Sequence, residues 1–215
     1  MVGQELPSSF LESPDDASGQ DASPEADFLL CLQAGRLTLN VFGSQSLLSW
    51  SEWPAMAETL HEPLEKLLTN FIEIATEAHI PDHLSLLSNQ DSEWEVDLTW
   101  VTNPEIQAIN AAYREKDTAT DVLSFPLLTP ALVAEAPHLA QLPTVALGTI
   151  FISVDWALEA HSQVSLSEGL PCEVVRYLLE RLVHGCLHLM GQHHDTMETY
   201  QQVVALQGRI LDATL

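Results

Sequence analysis

The chain predicts a domain of mixed helices and strands, and three observations carry that prediction. Short runs alternate apolar and polar residues with the two-residue period of a strand, as in Leu37-Thr38-Leu39-Asn40-Val41-Phe42 and Trp94-Glu95-Val96-Asp97-Leu98-Thr99-Trp100. Longer runs, Trp53 to Ala78 and Pro171 to Met190, space their apolar residues as a helix does. The second of these helices closes on a histidine-rich run that ends in a turning glycine, the pattern of a metal site built on a rigid element.

The elements follow in order. Residues 1–33 are expected to be a disordered acidic N-terminal extension, because Ser, Pro, Asp, Glu, Gln and Gly dominate from Ser8 to Asp27 without hydrophobic periodicity. No basic residue precedes an apolar core there, so it does not read as a secretory signal. Residues 34–215 are expected to form one domain, with 46% hydrophobic residues supplying its core. Leu37 to Phe42 is the first strand. Trp53 to Ala78 is a helix or helix pair, with Pro63 as a break or a second helix start. Trp94 to Trp100 is a half-exposed strand. Asn103-Pro104-Glu105 opens a short helix as cap, first-turn proline and first-turn acid, and the helix ends near Arg114. Val122 to Phe125 is a strand stopped by Pro126, and Val145 to Val154 is a buried strand, with a Pro-containing loop between them. Ala136 to Val154 carries no charged side chain, but Pro137, His138, Gln141, Pro143 and Gly148 argue against a membrane span. Pro171 to Met190 is a long helix buried on most sides, with Arg176, Glu180, His184 and His188 recurring every four residues. Arg176 and Glu180 are expected to pair with each other. Thr196 to about Leu211 is the final helix.

The formal net charge is −24, with seven Lys and Arg in the whole chain. That balance disfavours non-specific nucleic-acid binding, although a few cations beside a metal suffice to hold one phosphate. Cys31, Cys172 and Cys186 show no C-x-x-C pairing and leave one over, so no disulfide framework is indicated and a reducing cytoplasm fits. On the helix Cys186 falls on the far side from its neighbouring histidines and reads as a small core residue.

Chemistry concentrates in the run His184-Gly185-Cys186-Leu187-His188-Leu189-Met190-Gly191-Gln192-His193-His194. Residues four apart share a helix face, so His184 and His188 can present two imidazoles to one point. Gly191 can take the left-handed conformation that turns the chain and brings His194 in from a third direction. Three neutral nitrogens with one open position are the donor set of a catalytic Zn2+ ion, and nickel, copper or cobalt also suit it. The spacing matches the metzincin pattern H-E-x-x-H-x-x-G-x-x-H except that Gly185 stands where the proteases place their general base. A conventional zinc peptidase is thereby disfavoured. A second run, Tyr113-Arg114-Glu115-Lys116-Asp117-Thr118-Ala119-Thr120-Asp121-Val122-Leu123-Ser124-Phe125-Pro126, puts two of the seven cations just ahead of a strand. Arg114, with a planar fork matched to phosphate oxygens, is the candidate for gripping a phosphodiester beside the metal.

Together these two runs resemble the YbeY family of endoribonucleases, whose motifs read Y-R-x-K-D-x-x-T-[DN]-V-L-S-F-P and H-G-x-L-H-L-x-G-Y-D-H. The first is matched at every fixed position and the second at all but Gln192 and His193. The resemblance implies an α+β fold, a small mixed β-sheet packed against helices, with a zincin-like helix carrying the metal ligands. It implies zinc held by His184, His188 and His194, and a phosphate-side role for Arg114. It also implies a metal-dependent, single-strand-selective endoribonuclease acting on ribosomal RNA in 3′-end maturation of the small-subunit RNA and in ribosome quality control. The family usually has Gly-Asp after Leu147, where this chain has Gly148-Thr149. Two other readings are a metal-stabilised assembly factor that docks to the ribosome or ribosomal proteins without cutting, and a zinc hydrolase of other substrates.

Overall fold

In the computed structural model, residues 22–77, 92–136, 138–139, 142–161, 170–192 and 196–215 are described. Five strands form one sheet: β1 (Ala26–Ala34), β2 (Leu37–Ser44), β3 (Glu93–Val101), β4 (Val122–Pro126) and β5 (Thr144–Ser153), in the order β1-β2-β3-β5-β4. The β1–β2 and β4–β5 pairs are antiparallel, while β2–β3 and β3–β5 are parallel. The sheet is therefore mixed, and the fold is α+β. Seven helices accompany it among the described residues: α1 (Gln45–Leu48), α2 (Trp53–Glu77), α3 (Asn103–Arg114), α4 (Pro130–Glu135), α5 (Val154–Ala160), α6 (Cys172–Leu189) and α7 (Met197–Thr214).

The pleat decides which helices meet which face. Ile150 of β5 lies under α6, so its strand neighbours Phe151 and Thr149 point the other way. On the α6 face, Leu37, Leu39, Val41, Trp94, Val96, Leu98, Ile150 and Ile152 join residues of α2, α6 and α7 in one large core. On the opposite face, Leu123, Phe151 and Val101 pack with Ile106 and Ile109 of α3 in a smaller cluster.

Several expectations need correction. Residues 26–33, assigned to the extension, are strand: β1 pairs along β2 from Ala26↔Ser44 to Ala34↔Leu37, with an irregularity between Phe28 and Leu30. The more N-terminal part of the expected extension lies outside the described residues. Pro63 does not divide α2, which runs unbroken for 25 residues. An internal proline costs about 3 kcal/mol of helix stability, and Leu60, Leu64, Leu67, Leu68 and Phe71, all buried, hold both halves against the core. The strand read as half-exposed is the central one, β3. Its Trp94, Val96, Leu98 and Trp100 lie in the main core and its Val101 in the smaller one. The cap of α3 is Thr102, one residue earlier than expected, and Glu105 accepts from its backbone N–H at 2.8 Å. The stretch without charges becomes β5 together with the segment before it, and no described helix is long and apolar enough to cross a membrane.

Candidate active site

The histidine helix owes its position to packing. Val174, Leu178, Leu179, Leu182, Val183 and Leu187 are all buried, so α6 can neither roll nor slide without opening the core. Its end is equally fixed. Gly191 has φ 73°, its N–H donates to His188 O at 2.9 Å, and the Gln192 N–H donates to Leu187 O at 2.9 Å. Those two bonds with a left-handed residue after the cap are a Schellman ending, as the turning glycine predicts.

His184 and His188 are half-buried, and their Nε2 atoms approach to 2.9 Å with the rings 73° apart. Nitrogens bound about 2.0–2.1 Å from a tetrahedral zinc stand roughly 3.3 Å apart, so the pair lies within a few tenths of an ångström of the separation that a shared ion requires. At 2.9 Å the two nitrogens are at hydrogen-bond distance, and a shared ion would need them a few tenths of an ångström further apart. His194 lies outside the described residues, and among the described residues no group of three or more His, Cys, Asp or Glu could hold an ion.

Gly185 is where α6 touches the sheet. A Cβ there would come 2.9 Å from Ile150 Cδ1 and 3.0 Å from its Cγ2. The position that carries the base in H-E-x-x-H enzymes is therefore closed by Ile150. Four residues on, Leu189 meets β5 at Gly148, whose φ of 147° suits glycine and whose missing Cβ would strike the Phe125 carbonyl. Ile150 and Gly148 pair with Ser124 and Pro126 of β4. At the other end, Arg181 of α6 meets Asp121, the residue before β4, with Nη1 to Oδ2 at 3.0 Å. Helix α6 thus runs alongside β4, Arg181 by Asp121 and Leu189 by Pro126.

His184 and His188 share a helix face with Tyr177 and Arg181, so they stand beside β4 at the level of Ser124. Arg114 is attached there. Its Nη2 donates to Ser124 O at 3.1 Å, and its guanidinium carbon lies 5.8 Å from the Phe125 ring centroid. Phe125 stacks edge-on against Tyr113, one residue before Arg114, with centroids 5.5 Å apart. The backbone turns out of α3 through Glu115 at φ 57°. Partial burial lowers the Arg114 pKa from its ordinary value, which leaves an arginine charged.

Asp121 ties the first motif to the helix that carries the second, a role that its place in the sequence does not announce. Besides Arg181, it accepts from Tyr177 Oη at 3.2 Å and, through Oδ1, from the Val122 N–H at 2.9 Å. Burial first, then the Asp121 charge, raises the Tyr177 pKa. Glu180 pairs with Arg181 at 3.0 Å rather than with Arg176, and Arg176 reaches Asp212 at 3.5 Å instead. The one available signal was Asp121 itself, a fixed position of the first motif. Cys186 is buried as expected, and desolvation pushes its thiol up to about 12, which keeps it protonated.

Residues 58–214 match the family described as endoribonuclease YbeY. The chain belongs to that family. Among curated relatives, the endoribonuclease YbeY of Limosilactobacillus reuteri is 38% identical over 128 residues, covering 55% of this chain and 72% of that protein. That of Bacillus licheniformis is 41% identical over 118 residues, covering 55% and 70%, and that of Clostridioides difficile is 34% identical over 122 residues, covering 57% and 72%. The solution structure of a Thermotoga maritima protein aligns at 21% identity with a TM-score of 0.35, over 68% of this chain and 83% of that one. The matched span contains both YbeY motifs, from Tyr113 to His194, and leaves β1 and β2 outside it.

Proposed function

We propose that this YbeY-family chain is a zinc-dependent endoribonuclease that cuts single-stranded RNA in a groove between α6 and the β4 edge. The observation that carries this reading is the 2.9 Å approach of His184 Nε2 to His188 Nε2 on a helix whose end turns back at Gly191. His184 and His188 would hold one Zn2+ ion, with His194 as the third ligand. Such an ion supplies Lewis acidity toward a phosphoryl oxygen and toward water.

Arg114 works on the substrate. Bonded to Ser124 through one donor of its fork, it presents the remaining N–H groups to the non-bridging oxygens of the scissile phosphate and stabilises the charge that grows on them. The attacking oxygen comes from water or from the neighbouring 2′-hydroxyl and gives its proton to a base outside position 185, which Ile150 fills, while the opposite phosphorus–oxygen bond breaks and the departing ribose oxygen takes up a proton from solvent. Asp121 and Arg181 keep β4 and α6 in register, so that Arg114 and the histidines face the same phosphodiester. Single strands are preferred because their backbone can bend into the groove and their bases can splay.

The substrate we assign is ribosomal RNA, in maturation of the small-subunit 3′ end and in ribosome quality control, with ribosomal proteins as docking partners for the acidic surface. Exposed unpaired Cys31 and Cys172 suit the reducing cytoplasm where such processing takes place. The test is cleavage of a single-stranded RNA by the purified chain with its metal content measured alongside. His188→Ala is expected to lose both metal and cleavage, and Arg114→Ala to keep the metal and lose cleavage. Cleavage surviving in either variant removes that residue from the mechanism. Wild-type protein that carries metal and cuts no RNA returns the assembly-factor reading.

A further inference from the structure

Strand β4 is an edge of the sheet, and its outer side does not offer a full row of main-chain donors. In an antiparallel pair, opposed residues alternate between those that exchange main-chain hydrogen bonds and those whose N–H and C=O point away from the partner strand. The Ser153 N–H donates to Asp121 O at 3.0 Å and the Leu127 N–H to Leu147 O at 2.9 Å, and both bonds fit the one register of β4 on β5. Asp121, Leu123, Phe125 and Leu127 therefore turn their main-chain groups to β5, while Val122, Ser124 and Pro126 turn theirs outward. The outward contacts agree. Arg114 Nη2 reaches Ser124 O at 3.1 Å, and Asp121 Oδ1 takes the Val122 N–H at 2.9 Å.

Of the outward positions, a single one keeps an open donor. The Val122 N–H is occupied by Asp121, Pro126 has no N–H, and the Ser124 N–H meets no acceptor among the described residues. A peptide strand needs a donor at every second residue, so this edge does not template one. A lone acceptor fits. Arg114 decides its charge: the N–H and C=O of one extended residue leave the strand on the same side, so a guanidinium bound to Ser124 O stands next to the Ser124 N–H. The place is beside the histidines, because Ser124 is paired with Ile150 and Ile150 touches Gly185, the neighbour of His184.

We propose that the Ser124 main-chain N–H and the remaining N–H groups of Arg114 form one anion site, in which a non-bridging oxygen of the scissile phosphate accepts from both. This rests on the ribonuclease reading and adds a main-chain donor to it. A donor fixed in the sheet is already aimed when charge grows on that oxygen, which is where a preorganised N–H counts most. In a chain with seven Lys and Arg, it supplies a phosphate contact without a further cation.

Two measurements on the full chain test it, with metal content followed alongside. In isotope-labelled wild type, titration with inorganic phosphate should move the Ser124 amide proton downfield to a saturating value. In RNA cleavage, Ser124→Pro and Ser124→Ala both lack the hydroxyl, and the alanine alone keeps the N–H. Proline is tolerated where an edge-strand N–H faces outward, as Pro126 on the same strand illustrates. Ser124→Pro should cleave on the order of 10²-fold more slowly than Ser124→Ala at equal metal content. If the proline variant fails to fold, replacement of Ser124 by its α-hydroxy acid, which exchanges the N–H for an ester oxygen, is compared with wild type and should show the same loss. Equal cleavage with and without the N–H, or a Ser124 amide that phosphate leaves unmoved, overturns the site. A wild type whose Ser124 amide responds to phosphate but which cuts no RNA keeps the anion site and removes the nuclease, whereas RNA cleavage indifferent to loss of the N–H keeps the nuclease and removes the site.

Discussion

Gly185 and Ile150 are in such close contact that a single added carbon on residue 185 would meet Ile150 Cδ1 at 2.9 Å. The glycine between the two histidines is thus a packing residue that lets α6 settle onto β5, and its lack of a side chain leaves the ligand helix deep enough to sit level with β4. Gly185→Ala is expected to lower stability, because overpacking costs about 1–3 kcal/mol against a helix-propensity gain of about 1 kcal/mol. Urea denaturation of the four members of a cycle with Ile150→Ala measures it: the penalty at 185 should shrink when the isoleucine is cut back. Additive penalties would mean that the two residues do not press on each other.

The pair Asp121 and Arg181 invites a second cycle. Both side chains are 23% exposed, so the ion pair is shielded without being dry, and the buried Arg181 Nε finds no hydrogen-bond partner among the described residues. Asp121→Asn removes the charge on one of the two carboxylates that Arg181 meets and is expected to cost roughly 1–2 kcal/mol, the lower part of the range for a hydrogen bond to a charged group once solvent screening is allowed for. Cleavage of RNA should fall with it, since the variant loosens β4 from α6. In an Arg181→Met background the same substitution should cost much less. A full cost in that background would show that Asp121 acts through Tyr177 or the Val122 N–H instead.

Stability toward acid has an identifiable source at the start of α3. Burial acts to raise the Glu105 pKa, but hydrogen bonds from the Thr102 N–H and from the Ser44, Thr102 and Ser46 hydroxyls outweigh it and bring the value below 4.5. A carboxylate depressed in the folded state contributes stability that is present above its unfolded pKa and lost as pH falls through the folded value. Glu105→Gln should therefore destabilise by about 1 kcal/mol at neutral pH, after discounting for its partial exposure, and the difference from wild type should vanish below that window. Asp155 has the opposite sign: burial, then the charges of Glu159 and Glu105, raise its pKa in spite of the Asn103 N–H. Asp155→Asn is expected to be neutral or stabilising at pH 7, and thermal unfolding of both variants across pH 3–8 checks the pair.

What the sequence could and could not disclose follows the range of the forces involved. Helix α3 and the ending of α6 were legible because capping, a first-turn proline and a C-terminal glycine are local signals, and both motifs could be read as linear strings. Strand β1 was not. Ala26-Asp27-Phe28-Leu29-Leu30-Cys31 lacks clean alternation, its pairing with β2 shifts between Phe28 and Leu30, and it follows directly on a polar segment. Helices α4 and α5 are 6 and 7 residues long, too short to announce themselves without the sheet they cover. The Arg181 partnership was hidden for another reason. Asp121 lies 60 residues away in sequence, and a rule that pairs charges four apart on a helix directed Glu180 to Arg176.

Removing the metal separates a catalytic ion from a structural one. The buried face of α6, from Val174 to Leu187, and the Schellman ending at Gly191 position His184 and His188 without any help from an ion. A chelator should accordingly stop RNA cleavage while the far-ultraviolet circular dichroism persists. A ligand that binds only the folded state adds about 2.7 kcal/mol at one hundred times its Kd. At roughly 2–4 °C per kcal/mol for a chain of this size, the midpoint of thermal unfolding should drop on the order of 5–10 °C and return with added Zn2+. Loss of helical signal on chelation at room temperature would make the ion a folding element, because it would show that packing alone does not hold α6 in place. Undiminished cleavage in excess chelator would take the histidine pair out of the chemistry and leave Arg114 and the β4 edge as the whole of the site.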